Sequence, residues 1–114
     1  MRHQKKKKFG KGMDHRRKLL RALASSAILY ERIETSYSYA RAVKPYLEKL
    51  ITRAKDPSLH NRRMFLSKIS KNATAKALEV YGPRYAERNG GYLRLTKLNN
   101  PKAGLSKAVI EFVE

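Results

Sequence analysis

The densest chemistry in this chain lies between Gly82 and Lys97, which reads GPRYAERNGGYLRLTK. Arg84, Arg88, Arg94 and Lys97 punctuate that stretch, with Tyr85, Tyr92 and the pair Gly90-Gly91 between them. Guanidinium forks grip phosphate oxygens two at a time, tyrosine rings can stack on unpaired bases, and glycines let the backbone approach a ligand closely. The mixture suits irregular RNA better than a regular DNA duplex. Each tyrosine ring has an equally ordinary use in packing a core.

Two further clusters share this chemistry. Residues 1–12 crowd together Arg2, His3, Lys5, Lys6, Lys7, Lys8 and Lys11 with two glycines, and after Met1 only Phe9 is a sizeable apolar side chain. A segment this poor in apolar residues cannot bury itself and orders only on a partner, so it reads as an RNA-threading arm ahead of one domain over residues 13–114. The plainer reading of a short basic run is a solvated tail or a localisation signal. His15, Arg16 and Arg17, with Lys18 and Arg21, carry the charge onto the first helix at the end where its dipole disfavours cations, which suggests that they serve a partner. Arg62-Arg63 sits on a later helix beside His60 and Asn61. Its spacing from Phe65, Leu66 and Ile69 predicts one arginine paired internally and one facing phosphate, with a solvated basic face as the plain alternative.

Catalysis has no such residues. His3, His15 and His60 form no HExxH-like pattern, the nine acidic residues are dispersed, and the absence of cysteine removes thiolate metal sites, disulfides and thiol nucleophiles together. Gly10-Lys11-Gly12 is too short for a phosphate-binding loop and lacks the preceding strand. No catalytic residue, metal, cofactor or small-molecule substrate is expected.

The elements that must position the basic residues follow from periodicity. Asp14 can cap a first helix whose apolar stripe is Leu19, Leu20, Leu23, Ala24, Ala27 and Ile28. Arg32 to Ser36 favours a strand. A second helix spans about Ser38 to Lys55 with Val43, Leu47, Leu50, Ile51 and Ala54 inward; Pro45 either kinks it or stands in the first turn of a helix starting near Lys44. Asp56-Pro57 reads as the cap and first residue of a third helix, and Asn72 as the cap of a short fourth one stopped by Gly82-Pro83. Tyr92 to Leu98 and Lys107 to Val113 read as strands of a hairpin, turned at Asn99-Asn100-Pro101 and Gly104. The expected fold is α+β and two-layered, a small three-stranded mixed sheet covered on one face by helices.

Composition narrows the partner. In 114 residues, 27 Lys+Arg stand against 9 Asp+Glu, a formal charge of +18, while 41% of the chain is hydrophobic. The apolar share supports a core, and the charge makes a polyanion the environment in which the compact state is favoured. No apolar stretch approaches the roughly 20 residues that span a bilayer, and no signal-type run follows the first charges. Secretion and membrane insertion are both disfavoured. A DNA-binding nucleoid-type or regulatory protein is the alternative, although neither a recognition helix nor a dimer interface is identifiable.

Read in order, the residues resemble the bacterial large-subunit ribosomal protein L17 family. The resemblance is carried by Met1-Arg2-His3, His15-Arg16, Ile33-Glu34-Thr35, PYLEKLITRAK from Pro45 to Lys55, Asn61-Arg62-Arg63, Gly82-Pro83-Arg84-Tyr85-Ala86, Arg88, Gly90-Gly91-Tyr92, Arg94 and Ile110-Glu111. It implies an order α-β-α-α-α-β-β and a structural, non-enzymatic role. It also implies binding to large-subunit ribosomal RNA on the solvent side near the peptide exit tunnel, in contact with neighbouring ribosomal proteins and not with copies of itself. The location implied is the cytoplasm, within the large ribosomal subunit, and an organelle ribosome fits as well. The chain departs from the family pattern at Tyr39-Ala40-Arg41, where lysines usually flank the alanine, and across Lys102 to Lys107.

Overall fold

The computed structural model describes residues 13–98 and 106–114. The basic arm and the Asn99 to Gly104 turn read from the sequence lie outside the described residues. Helix α1 (Met13–Tyr30) leads through Glu31 into β1 (Arg32–Ser36), and α2 (Tyr37–Ala54) follows without a loop. Ser36 makes that junction possible. It ends the strand with extended backbone, and its side chain accepts from the Tyr39 N–H at 3.2 Å, capping the helix.

Pro45 neither starts nor stops α2, which begins at Tyr37 and runs through it. Helix α3 (Leu59–Lys68) is capped by Ser58 rather than by Asp56, whose carboxylate instead accepts from the Ser58 N–H at 3.2 Å. Helix α4 (Lys71–Lys76) is likewise capped by Ser70, not by Asn72. It continues into a π-helical segment, Ala77–Tyr81, and a last turn, α5 (Gly82–Arg84), so Gly82-Pro83 does not end the helix. Proline is tolerated there because it enters a new first turn, where the missing N–H has no partner to lose.

Strands β2 (Leu93–Leu98) and β3 (Lys107–Phe112) pair as expected, and β3 also pairs with β1, giving the order β1-β3-β2. The sheet is antiparallel throughout, where a mixed one was expected, because β3 returns between two strands that both run opposite to it. Ile33, Ile110 and Leu95 stand in one cross-strand row, with Leu93 and Phe112 in the next but one on the same face. That face meets the helices. Ala24, Ala27 and Ile28 from α1, Val43, Leu47 and Ile51 from α2, and Phe65, Ile69 and Ala73 fill the space above it.

At one end of the core Tyr81, Tyr85, Tyr92 and Phe112 form an aromatic cluster, with ring centroids 4.3 Å apart for Tyr81–Phe112 and 5.1 Å for Tyr85–Tyr92. Burial displaces the Tyr81 hydroxyl's ionisation upward, and the hydroxyl donates to the Ile28 carbonyl at 2.8 Å, satisfying the last turn of α1. Gly82 lies against α2 so closely that a Cβ there would stand 2.4 Å from the Ala54 carbonyl oxygen.

Candidate nucleic-acid interface

Helices α1 and α2 pack with an open groove of about 700 Å³ between them, closed at one end by α3. From α1 it receives Arg16, Arg17 and Leu20. Helix α2 supplies Tyr37, Arg41, Pro45, Lys49 and Arg53 at four-residue intervals, with Ser38, Ala42, Tyr46 and Leu50 beside them, and α3 adds Met64 and Lys68. Six of these side chains are cations, and no acidic residue among the described ones lines the groove. Lys49 and Arg53, one turn apart, repel by a few tenths of a kcal/mol, about 0.2–0.5, which a bound polyanion would reverse.

The groove is held open by specific contacts. Arg21 donates to the Leu66 carbonyl at 3.2 Å, tying α1 to α3, and the Tyr46 hydroxyl donates to the Lys68 carbonyl at 2.8 Å, tying α2 to α3. Burial raises the ionisation of that hydroxyl, so it stays a donor. Asn61 closes the α2–α3 corner from below, its amide donating to the Arg53 and Asp56 carbonyls at 3.1 and 2.9 Å. At the rim the Tyr37 ring carries Arg41 at 5.6 Å and Lys97 at 4.9 Å from its centroid, so Lys97 of β2 extends the basic border toward the sheet.

The residues singled out in the sequence separate into distinct places. Arg16 and Arg17 line the groove, Arg17 within 3.8 Å of Asp14, and Lys97 borders it. His15 is exposed on the same opening turns. Arg62 and Arg63 are both exposed on α3, and neither guanidinium is paired among the described residues, so the internal pairing expected for one of them is absent there. Arg88 is exposed beyond α5, its carbonyl accepting from Lys55 and from the Tyr92 hydroxyl. Arg94 projects from the sheet face turned away from the helices, 3.7 Å from Glu111, which also approaches Arg32.

Two expectations in the Gly82 to Lys97 stretch change. Tyr92 and Tyr85 are 1% and 2% exposed, so of the two uses left open for these rings the structure selects core packing, and neither can stack on a base. The Tyr92 hydroxyl meets Thr52 at 3.1 Å; burial pushes its ionisation up, but the bonds to Lys55 and Thr52 outweigh this and leave it lowered. Arg84 has an internal partner, donating to Glu31 at 2.9 Å with its guanidinium 5.0 Å from the Tyr81 ring centre. Glu31 also faces Lys76 at 3.4 Å and holds a left-handed backbone, φ 64, at the bend between α1 and β1. The Arg84 hydrogen bond is the main reason its carboxyl lies below the ordinary value, and Lys76 adds to it. Arg84 thus ties α5 to the α1–β1 bend.

A family model described as "Ribosomal protein L17" matches residues 19–113. A protein from Hydrogenobaculum sp. named "Large ribosomal subunit protein bL17" is 47% identical over 118 aligned residues, covering 100% of both chains. A namesake from Thermodesulfovibrio yellowstonii is 42% identical across 93% of this chain and 81% of its own, and one from Acidobacterium capsulatum 39% across 93% and 68%. The chain belongs to the ribosomal protein L17 family. The α+β order implied by the resemblance to L17 proteins is the order found.

For this L17 family member the sequence reading missed Arg41, Lys49, Arg53 and Lys68. The signal was present as the four-residue recurrence Tyr37, Arg41, Pro45, Lys49, Arg53, the polar counterpart of the apolar stripe that identified α2. Arg41, at a departure from the L17 pattern, nonetheless lies in the groove.

Proposed function

We propose that this chain holds large-subunit ribosomal RNA in the α1–α2 groove, assisted by the exposed arginines of α3 and by the basic residues 1–12. Family membership makes it a structural, non-enzymatic component of the large ribosomal subunit in the cytoplasm. The observation that carries the RNA reading is the groove itself, where Arg16, Arg17, Arg41, Lys49, Arg53 and Lys68 converge and no acidic residue among the described ones is in the lining, Asp14 approaching Arg17 from outside it. Convergent like charge raises its own field, and releasing counterions from phosphates is the largest favourable term available to it. Sequence reading by base edges is minor here, since most contacts of this type position the backbone.

The expected salt dependence follows from the rim. With about 0.7 to 0.9 counterions released per phosphate neutralised, six contacts give a slope of log K against log salt of about −4 to −5 from the groove alone. Filter binding of the full chain to large-subunit ribosomal RNA fragments between about 50 and 200 mM salt measures it. A slope near zero, or equal affinity for duplex DNA at matched salt, would overturn the reading.

The solvent-side position near the exit tunnel belongs to the same proposal. A photoreactive residue at Tyr30, 73% exposed at the far end of α1, should cross-link in assembled particles to proteins or RNA of the tunnel rim. Cross-links confined to the subunit interface would exclude that position.

A further inference from the structure

The rim and floor of the α1–α2 groove differ in chemistry. Phosphates require only the rim. The less exposed, apolar part of the lining forms the floor, Leu20, Ala42, Leu50 and Met64, with Tyr46 beside them, while Pro45 is exposed in the stripe of Arg41, Lys49 and Arg53. A double-helical backbone crosses a basic surface without entering it and would leave that floor unfilled. At about 700 Å³ the groove falls in the range, about 300–1,000 Å³, that encloses a compact ligand of a few rings. The part of an RNA that matches an apolar floor is the face of an unstacked base. Building on the assignment of the groove to RNA, we infer that it receives an unpaired nucleotide extruded from that RNA. The base lies on the floor beside Tyr46 and Met64, and the flanking phosphates lie on Arg16, Arg41, Lys49 and Arg53.

Two local features fit this occupant. Tyr46 is half-buried and its hydroxyl is anchored on the Lys68 carbonyl at 2.8 Å, so the ring is a fixed platform before any ligand arrives. Pro45, inside α2, has no N–H for the Arg41 carbonyl four residues earlier. Arg41 and Pro45 both line the groove, and in the proposed complex that carbonyl has a base amino group or a ribose 2′-hydroxyl as its partner. An oligoglutamate segment would satisfy the rim cations but has no aromatic face for the floor.

The test compares two RNA hairpins of equal length and charge, one fully paired and one carrying a single 2-aminopurine bulge, each titrated with the full chain. The bulged hairpin should bind at least about fivefold more tightly, the smaller end of what one stacked base contributes, with a change in 2-aminopurine fluorescence. Ala42→Phe fills the floor without altering charge and should reduce bulged-hairpin affinity to that of the paired one. Pro45→Ala adds no volume, restores the helical hydrogen bond and should narrow the preference, which guards against misfolding of the filled groove. Lys49→Gln should weaken both hairpins alike and lower the salt slope by about 1.

Equal affinity for the two hairpins, or a preference that survives both Ala42→Phe and Pro45→Ala, overturns the extruded nucleotide even if Lys49→Gln still weakens both. Lys49→Gln without effect on either hairpin removes the RNA groove as well. Displacement of the bulged hairpin by an oligoglutamate peptide at equal charge concentration would assign the groove to an acidic protein segment instead.

Discussion

Replacing Gly82 by alanine tests whether the α5 turn meets α2 as closely as described. Residue 82 has helical angles, φ −55 and ψ −55, so alanine meets no backbone strain, and intrinsic propensity favours it by about 1 kcal/mol. Packing opposes this. The new methyl would stand 2.4 Å from the Ala54 carbonyl oxygen and 3.1 Å from the Ala54 carbonyl carbon. Pushing the first pair out to 3.0 Å demands a movement of 0.6 Å, and the obstacle is the backbone of α2 rather than the free end of a side chain. Overpacking costs about 1–3 kcal/mol, and an unyielding neighbour places this case in the upper part of that range. Set against the gain in propensity, the net destabilisation is about 1–2 kcal/mol, or roughly 5–15 °C in melting temperature for a domain near 100 residues. Melting followed by circular dichroism at fixed salt reads it. Gly91→Ala is the control: among the described residues no atom beyond its chain neighbours lies within 4 Å of the added methyl, yet its φ of +64 makes the change cost about 1 kcal/mol through conformation alone. A Gly82→Ala protein as stable as the parent would refute the close approach. RNA affinity supplies a second readout, since a shifted Ala54 drags the adjoining Arg53 at the groove rim.

Three further perturbations separate scaffold from site. Tyr81→Phe removes the hydroxyl that satisfies the Ile28 carbonyl at 2.8 Å and should lower unfolding free energy by about 1–2 kcal/mol in a urea titration, with RNA affinity retained in the folded fraction; an unchanged midpoint would contradict the bond. Glu31→Gln should cost about 0.5–1 kcal/mol at pH 7, a figure kept small because the carboxylate is partly exposed. Because its folded-state pKa is depressed, the stability it contributes is present above the ordinary value of 4.5 and is lost as pH falls through the folded value, so parent and variant curves should converge in acid; parallel curves would show that the carboxylate charge is not the cause. Changing Arg41 and Arg53 together to Gln should reduce the salt slope by about 1.5–2, whereas Arg84→Gln should mainly affect stability; equal effects of both on the slope would mean that Arg84 reaches RNA despite Glu31.

What the sequence disclosed depended on whether one local signal had a competitor. The alternation of Leu93 and Leu95 had none, and the apolar stripe of α2, from Val43 to Ala54, outweighed the competing signal of Pro45; both elements fall where periodicity placed them. Helix caps did have competitors. Asp56 and Ser58, or Ser70 and Asn72, are each acceptable capping residues two positions apart, and tertiary contacts chose between them: the Ser25 hydroxyl accepts from the Ser70 N–H at 2.9 Å, and the Asn61 amide fixes the turn that ends at Ser58. Gly82-Pro83 carried the ordinary signal for a helix stop. The reason it is not one lies in α2, whose backbone leaves room at that point for glycine and nothing larger.

The proposed site was legible by composition and only in part by position, through Arg16, Arg17 and Lys97, for a related reason. Charge excess predicts that phosphate is bound somewhere, but a basic residue on a helix looks the same whether the opposite wall of a groove is present or not. Arg41, Lys49 and Arg53 gain significance only when α1 brings Arg16 and Arg17 across from them, and that juxtaposition is set by Ala24, Ala27 and Ile28 sharing one buried core with Val43 and Leu47. The arginine-tyrosine stretch after Gly82 failed in the opposite way. Its residue types suit RNA, but Tyr85, Tyr92 and Phe112 lack enough apolar surroundings unless the rings cluster, and Arg84 lies beside the one acid, Glu31, that the α1–β1 bend places there. Tyr85 and Tyr92 of that stretch were thus spent on the core and Arg84 on Glu31, while Arg88, Arg94 and Lys97 stayed at the surface, and the proposed binding groove formed from α1 and α2 residues that meet only in the fold.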